Sequence, residues 1–195
     1  MKRLRIIGGE KRGFTLISPE GRDTRPTSSR VREALFDILG ERVRGHRFLD
    51  LFAGTGSVGI EALSRGAVQA SFVEASRANV RAIRENLLAC GLESRGKTFA
   101  GRLPACLFRL AGKGTFDVAF VDPPYDSELR TRVLEMLAGG SVMSPGAWIV
   151  LEHRKSWSPH GPHRLLRYLR TAHYGDTELS FYQLAGKESP PRENV

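Results

Sequence analysis

Cysteine is scarce in this sequence, with only Cys90 and Cys106 among 195 residues. Their separation fits neither a disulfide framework nor the short spacings of metal-ligand sets. Each is therefore expected to be a small, buried, apolar side chain in a protein from a reducing compartment. The sequence accordingly predicts no metal site.

Long apolar runs are absent as well. No stretch approaches the roughly 20 apolar residues of a membrane span, and the segment from Met1 to Gly9 lacks the apolar stretch of a signal peptide. We therefore expect a cytoplasmic protein that does not enter a membrane. At 195 residues with 41% hydrophobic residues, the chain can bury one sizeable core, so one domain with appendages is expected.

Acidic residues are the scarcer charged type, at 21 against 30 lysines and arginines, which leaves a net charge of +9. The excess is uneven: residues 1–33 contain nine basic and four acidic residues, and residues 153–175 contain no acid. Because lysine and arginine contacts to phosphates release condensed counterions, two such regions favour a polyanionic partner. A basic surface that is merely solvated is the alternative, and charge alone does not separate the two.

The N-terminal segment is predicted to be an extension of the main domain. Two short strands, Leu4–Ile7 and Phe14–Ile17, flank a glycine-containing basic connection and indicate a hairpin. A helix is then expected to begin with a cap at Ser28 or Ser29 and to end at Gly40. The predicted divisions are a basic hairpin extension over 1–27, a main domain over 28–185 and a disordered tail over 186–195.

From Phe48 onward, apolar strands alternate with amphipathic helices. Short links between them favour a doubly wound, mostly parallel α/β sheet covered on both faces. Two further strands predict an antiparallel C-terminal hairpin that completes a seven-stranded sheet. The predicted strands are Phe48–Phe52, Ala70–Glu74, Thr98–Ala100, Phe116–Val121, Trp148–Glu152, about Leu165–Arg170 and Leu179–Leu184, and the predicted helices between them are Val58–Ser64, Ser76–Ala89, Pro104–Ala111 and Ser127–Leu137.

Three glycines, Gly54, Gly56 and Gly59, follow the first of these strands in a G-x-G-x-x-G arrangement and open the next helix. Glycine allows the turn and lets a ligand approach the backbone at the carboxyl end of the strand. Glu74 ends the following strand, where its carboxylate can accept hydrogen bonds from ribose hydroxyls. This combination fits a dinucleotide oxidoreductase as well as an S-adenosylmethionine enzyme, and a glycine turn without a ligand is the third possibility.

Asp50 lies two residues before Phe52, inside the passage from strand to loop. A carboxylate there suits an ammonium-bearing ligand, such as the methionine end of S-adenosylmethionine, better than a pyrophosphate. Alternatively, it ties together the backbone N–H groups of the loop. Asp50 therefore favours the S-adenosylmethionine interpretation.

The tetrapeptide Asp122-Pro123-Pro124-Tyr125 directly follows the apolar run Phe116–Val121, where a buried strand ends. Proline fixes φ and has no N–H, so this loop is stiff and rich in carbonyl acceptors. The Asp122 carboxylate can accept a further N–H, and Tyr125 offers a flat face for a planar ring. The pattern is typical of a site for an amino group on a ring, with a plain Pro-Pro turn as the alternative.

The doubly wound order predicts that these two loops share one crevice. Strands one and four are neighbours across the topological switch point, so the loop after Phe52 and the loop after Val121 should open into the same space. A cofactor on the glycines would then face Asp122.

With these motifs, the chain resembles class I S-adenosylmethionine-dependent methyltransferases, and specifically the RsmD family of bacterial 16S rRNA guanine-N2 methyltransferases. The resemblance spans nearly the whole chain. Its most family-specific part is the block from Thr24 to Phe36, because the glycine loop and the tetrapeptide are shared widely among amino-group methyltransferases. The residues that carry it are Arg5–Gly9, Thr24–Ser28, Arg30–Phe36, the glycine loop with Glu61–Ala67, Phe72–Glu74 and Asp122–Tyr125.

The resemblance implies a Rossmann-like methyltransferase sheet, S-adenosyl-L-methionine as cofactor, and 16S rRNA or the assembling small ribosomal subunit as partner. A monomer is expected. One position departs from the family pattern: where an acid usually contacts the adenine amino group, this chain has Gly101-Arg102-Leu103. The implied site residues are Asp50, Phe52, Gly54, Gly56, Glu74 and Thr27 for the cofactor, Asp122, Pro123 and Tyr125 for the target base, and Arg3, Arg5, Lys11, Arg12, Arg25, Arg30, Arg154 and Lys155 for RNA.

The expected reaction is a direct displacement by an exocyclic amine. Such an amine is a poor nucleophile because its lone pair is delocalised into its ring. Hydrogen bonds to the Asp122 carboxylate and the Pro123 carbonyl would direct the lone pair at the sulfonium methyl, while Tyr125 would hold the ring in line. A DNA adenine or protein glutamine methyltransferase, a nicotinamide oxidoreductase and a non-catalytic RNA-binding module are the competing interpretations.

Overall fold

The computed structural model describes residues 4–19, 27–124, 128–157 and 164–186. Its elements in chain order are α1 (Ser29–Leu39), β1 (Arg47–Leu51), α2 (Ser57–Ser64), β2 (Gln69–Glu74), α3 (Arg77–Ala89), β3 (Gly96–Ala100), α4 (Ala105–Phe108), β4 (Phe116–Val121), α5 (Leu129–Gly139), β5 (Met143–Arg154), β6 (Leu166–Tyr174) and β7 (Thr177–Leu184).

The strands form one seven-stranded sheet in the order β3-β2-β1-β4-β5-β7-β6. β1 is parallel to both β2 and β4, and β4 is parallel to β5, whereas β7 is antiparallel to β5 and β6. The predicted doubly wound sheet with an antiparallel C-terminal hairpin is therefore confirmed. Because the winding reverses between β1 and β4, the carboxyl ends of these two strands border a crevice.

Helices cover both faces of the sheet. α1, α2 and α3 pack on one face around buried residues such as Leu35 and Ile60, and α4 and α5 pack on the other around residues such as Leu107 and Val133. The central strands are consequently buried on both sides, and every residue of β1 after Arg47 is buried. As expected, both cysteines are buried and unbridged.

Serine caps mark the starts of α1 and α3. The Ser28 hydroxyl accepts the N–H of Val31 at 3.2 Å, and the Ser76 hydroxyl accepts the N–H of Asn79 at 3.4 Å. The cap predicted at Ser28 or Ser29 is thus at Ser28. The longest described helix, α3, has 13 residues, and none in the described part of the chain is long and apolar enough to cross a bilayer.

The helix predicted over Pro104–Ala111 is wrong in length. Only Ala105–Phe108 is helical. The N–H groups of Arg109 and Leu110 donate to carbonyls three residues back, so the chain continues as tight turns.

The N-terminal segment folds back on itself, but the two predicted strands Leu4–Ile7 and Phe14–Ile17 are not formed as regular strands. Arg5 and Thr15 make a single antiparallel bridge. Ile6 and Leu16 are buried in the core of the α1–α3 face. The segment therefore adds to the main core through its side chains.

Glu61 of α2 holds this N-terminal segment in place. Its fully buried carboxylate accepts the backbone N–H groups of Ile7 at 2.8 Å and Gly8 at 2.7 Å, and the guanidinium of Arg65 at 2.9 Å. Arg32, also fully buried, lies 3.6 Å away. Several donors thus offset the cost of burying the carboxylate, and the segment is fixed to the helix that follows the glycine loop.

Candidate active site

A cavity of about 910 Å³ opens at the carboxyl ends of the central strands. This volume lies in the range of small-molecule sites. Its lining includes Gly54 from the loop after β1, Glu74 from the end of β2 and Asp122 from the loop after β4. The prediction that the loops after Phe52 and Val121 share one crevice is confirmed.

The first part of the loop after β1 has an unusual backbone. Phe52, although it is not glycine, has a φ of 60°, a conformation that costs free energy and is found preferentially at functional sites. Gly54 has a φ of 53°, and a Cβ placed there would meet no atom within 4 Å. Both residues line the cavity, and at Gly54 the backbone is exposed to it without a side chain.

The other two glycines of the motif serve the packing of α2. Gly56 caps this helix with a φ of 77°. A Cβ on Gly59 would lie 2.3 Å from the ring of Phe72, so only glycine lets α2 approach β2 this closely. Neither glycine is among the residues that line the cavity, although the sequence analysis placed Gly56 at the cofactor.

Glu74 borders the cavity with a carboxylate that two backbone groups hold in place. One oxygen accepts the N–H of Gly54 at 2.8 Å, and the other accepts the N–H of Ser76 at 2.7 Å. A carboxylate offers about four acceptor positions. Glu74 therefore has acceptor positions left for a ligand, and its contact with ribose hydroxyls stays a prediction.

Asp50 lies beneath the loop and does not line the cavity. Its side chain is 2% exposed, and Oδ2 accepts the N–H of Gly59 at 2.8 Å. The pKa of Asp50 is raised to about 8, chiefly by burial; the hydrogen bond from Gly59 opposes this rise and the charge of Glu74 adds to it. This geometry matches the second of the two roles considered for Asp50, the tying of backbone N–H groups.

The described part of the tetrapeptide, Asp122 to Pro124, directly follows β4. Asp122 is half-buried, Pro123 is buried and Pro124 is exposed, and all three line the cavity. The N–H of Asp122 donates to the carbonyl of Leu51 at 3.3 Å, which ties the start of the tetrapeptide to the end of β1. Tyr125 lies outside the described residues.

Thr27 lines the cavity as well, and it rests on a buried acid that the sequence analysis missed. Its hydroxyl donates to Glu152 Oε2 at 3.2 Å. Glu152 lies near the carboxyl end of β5, the neighbour of β4. An acid at the end of a buried parallel strand was the available signal.

Asn86 of α3 is a second residue that the sequence analysis missed. Its side-chain amide accepts the N–H of Ile17 at 2.7 Å and donates to the carbonyls of Ile17 at 3.0 Å and Thr55 at 3.2 Å. The side chain is 1% exposed. Asn86 thus joins the N-terminal segment to the loop after β1, and a single asparagine inside a helical pattern gave no signal of this.

Most of the basic residues predicted to contact RNA are exposed. Arg3 and Arg25 lie outside the described residues, and Lys11 is half-buried. His153, in the second basic stretch, is instead buried, with its ring nitrogens 2.8 Å from the Arg154 carbonyl and 2.6 Å from the Ser180 hydroxyl, and burial lowers its pKa. The exposed residues of the predicted RNA set are Arg5, Arg12, Arg30, Arg154 and Lys155.

Comparisons with known proteins agree with this architecture. The family model described as Conserved hypothetical protein 95 matches residues 4–183. Ribosomal RNA small subunit methyltransferase D of Escherichia coli is 37% identical over 150 residues, which cover 76% of this chain and 74% of that protein. A hypothetical protein of Thermus thermophilus has a solved structure with a TM-score of 0.75 and 38% identity, covering 91% of this chain and 97% of that chain.

A more distant solved structure shares the fold alone. It is an RNA methyltransferase from Salinibacter ruber in complex with S-adenosyl-L-homocysteine, with a TM-score of 0.63 and 18% identity. The likeness covers 87% of this chain and 99% of that chain.

Proposed function

The chain belongs to the Conserved hypothetical protein 95 family, the RsmD family of the sequence resemblance, and we propose that it methylates the exocyclic N2 amine of a guanine in 16S rRNA. That it is an S-adenosylmethionine-dependent methyltransferase of ribosomal RNA follows from this family. The guanine, its N2 amine and the 16S molecule are the finer proposal. The observation that supports methyl transfer to an amino group is that Gly54 and Asp122 line the same cavity.

The residues on the glycine-loop side of the cavity fit the cofactor. S-adenosylmethionine, when bound, supplies a methyl group on a positively charged sulfur. The open space beside Gly54 gives room for its amino-acid part, and the fixed carboxylate of Glu74 offers acceptors for ribose hydroxyls. Arg102, which also lines the cavity, cannot accept a hydrogen bond from an adenine amino group. We infer that backbone groups of 101–103 take that part.

Asp50 and Gly56, which belong to the predicted cofactor set, are proposed to act indirectly by positioning the backbone that contacts the cofactor. Asp50 holds the N–H of Gly59 and so fixes the start of α2. Gly56 caps the same helix. Their role would be to keep the backbone around Gly54 in the shape that the ligand needs.

Asp122 and Pro123 are proposed to bind the target amine. The Asp122 carboxylate and the Pro123 carbonyl would accept its two N–H groups, which restrains the amine and directs its lone pair across the cavity. Methylation of the amine requires its nitrogen to lose a proton, and the Asp122 carboxylate would accept that proton. Tyr125 is proposed to stack on the base from the adjoining position in the chain.

The substrate must present its base outside a stack to enter such a cavity. Extrusion costs a few kcal/mol from a duplex and less from a loop, so an unpaired guanine is the favoured target. The exposed basic residues of the N-terminal segment and of the end of β5 would contact the phosphates and position the RNA without reading its sequence. We propose that the protein acts as a monomer.

Methylation of defined substrates tests this function. The protein is incubated with labelled S-adenosylmethionine and either naked 16S rRNA or assembled small subunits, and the labelled nucleoside is identified by mass spectrometry after digestion. The expected product is N2-methylguanosine at one position of 16S rRNA. Label on an adenine amine, on DNA or on protein glutamine would support a different amino-group substrate, and cofactor binding without any transfer would support a non-catalytic module.

A further inference from the structure

Helix α3 carries a row of exposed arginines on one face. Arg77, Arg81 and Arg84 are spaced four and three residues apart, which places them on the same side of a helix, and all three are exposed. The opposite face buries Val80 and Ile83 in the core. Packing therefore fixes the helix so that the three guanidinium groups point to solvent.

This row begins at the rim of the cavity. Ser76, Ala78 and Asn79, at the start of α3, all line the cavity. Arg77 lies between them in the chain and is exposed. The line of positive charge thus leads away from the rim of the cavity.

The edge of the sheet extends the row. β3 is an edge strand, and Arg84 Nε donates to the Thr98 hydroxyl of this strand at 3.3 Å. Lys97 on β3 is exposed, and Arg102, just after β3, is exposed and lines the cavity. We call the set Arg77, Arg81, Arg84, Lys97 and Arg102 the α3–β3 surface.

Few acids accompany these cations. Residues 76–109 contain seven basic residues against the two acids Glu85 and Glu93. Arg95 in this range pairs with Glu10, but no residue of the α3–β3 surface forms an ion pair with another described residue. Like charges one helical turn apart destabilise a helix slightly, and a bound anion would relieve that repulsion.

We propose that the α3–β3 surface binds the phosphate backbone of the RNA substrate and leads it to the mouth of the cavity, an inference that rests on the proposed rRNA methylation. Arginine suits this task because its planar guanidinium donates two parallel hydrogen bonds to a phosphate. A chain of phosphates can contact successive turns of α3, whereas a single small anion would use only one. The α3–β3 surface would orient the RNA through its phosphates, and the cavity would select the base.

The linear sequence hides this surface. The arginines of α3 alternate with the apolar residues of its buried face, so no run of basic residues stands out. Folding collects them on one side and brings the edge strand beside them. The α3–β3 surface is therefore separate from the two basic regions that composition indicates.

A pair of double variants tests the inference. Arg81→Gln/Arg84→Gln removes two charges from the α3–β3 surface. Arg44→Gln/Lys113→Gln removes two exposed charges from segments that precede β1 and β4, at the amino-terminal end of the sheet away from the cavity. Binding to naked 16S rRNA is measured by filter retention over a range of salt concentrations, together with methyl transfer and affinity for S-adenosylhomocysteine.

The α3 variant should bind the RNA about tenfold more weakly at roughly 0.1 M salt, with a logarithmic salt dependence shallower by about one to two. Its affinity for S-adenosylhomocysteine should equal that of the wild type, which also shows that the fold is intact. The control variant should behave as the wild type in every measurement. Unchanged RNA binding by the α3 variant, or an equal loss in the control, overturns the inference.

The same measurements separate this inference from the function beneath it. If the wild type methylates rRNA and the α3 variant binds RNA normally, the proposed function is supported and the RNA-binding role of the α3–β3 surface is contradicted. If RNA binding depends on Arg81 and Arg84 but the wild type transfers no methyl group, the role of the surface is supported and the proposed function is contradicted. Loss of transfer to small subunits with unchanged binding to naked rRNA would assign the surface to a ribosomal protein and so overturn the RNA assignment.

Discussion

The carboxylate of Glu74 accepts the backbone N–H of Gly54 at 2.8 Å, and this contact joins the end of β2 to the loop after β1. The second oxygen accepts the N–H of Ser76, which caps α3. One side chain thus sets the relative positions of three segments around the cavity. The same carboxylate is the proposed acceptor for ribose hydroxyls, so we expect it both to shape the site and to contact the ligand.

Replacement of Glu74 should weaken cofactor binding strongly. Glu74→Ala removes the ribose acceptor and frees the loop at Gly54, and hydrogen bonds to a charged group are worth about 1.5–3 kcal/mol. We expect affinity for S-adenosylhomocysteine to fall roughly 10- to 100-fold in isothermal titration calorimetry. Glu85→Ala, at an exposed position of α3, is the matched control and should bind normally. Equal affinities of the two variants would refute the role of Glu74.

Stability should depend on pH through Asp50. Burial raises the pKa of this carboxyl to about 8 from an unfolded value of 3.8. Between about pH 4 and pH 8 the folded state therefore holds a proton that the unfolded state has released. This proton stabilises the folded state at low pH, and the stabilisation is lost as the pH rises towards 8.

Asp50→Asn keeps an acceptor for Gly59 and cannot ionise. The variant should gain stability over the wild type by about 1 kcal/mol for each pH unit between roughly pH 5 and pH 8. Urea unfolding at several pH values measures this margin. Asp37→Asn, at an exposed position of α1, is the control for the loss of one carboxylate. If the difference in unfolding free energy between Asp50→Asn and the wild type does not change with pH, the Asp50 carboxyl is not protonated in the folded protein and the account is contradicted.

Asn86 should be required for stability because its buried amide satisfies three backbone groups, two of Ile17 and one of Thr55. Asn86→Leu would leave those groups without partners, at a cost of about 2–4 kcal/mol in the free energy of unfolding. The amide of Ile17 should also exchange its hydrogen faster. Glu85→Leu places the same side chain at the exposed neighbouring position. If Asn86→Leu lowers the free energy of unfolding no more than Glu85→Leu does, the hydrogen bonds of Asn86 do not stabilise the fold.

The sheet was predictable because its strands are short apolar runs between helical patterns. β4 and α2 lie within one residue of their predicted bounds at each end. The extent of β5, which begins at Met143, was not foreseen. Pro145 and Gly146 interrupt the apolar pattern there, and pairing with neighbouring strands decides the outcome. α4 was overestimated because its turns bury Leu107 and Leu110 at a helix-like spacing.

The site was predictable where one residue carries a local signal. Glu74 ends a strand, the glycine loop and Asp122 each follow one, and parallel strands bring such residues together. Contacts between distant segments left no trace in the sequence. Asn86 meets Ile17, and Thr27 meets Glu152, across 69 and 125 residues. Asp50 shows the same limit, because its position in the strand does not reveal that its oxygen faces Gly59.

The central claim is that Asp122 serves the methyl transfer and not the binding of the cofactor. The most direct measurement compares Asp122→Asn with Asp176→Asn, an exposed change in the turn between β6 and β7, in two assays on the same preparations. These assays are calorimetric binding of S-adenosylhomocysteine and transfer of labelled methyl groups to 16S rRNA in naked or assembled form. Asp122→Asn should bind S-adenosylhomocysteine as the wild type does and lose at least about 100-fold in turnover, while Asp176→Asn should be normal in both. Turnover by Asp122→Asn at the wild-type rate would contradict the assignment of this cavity as an amine methylation site.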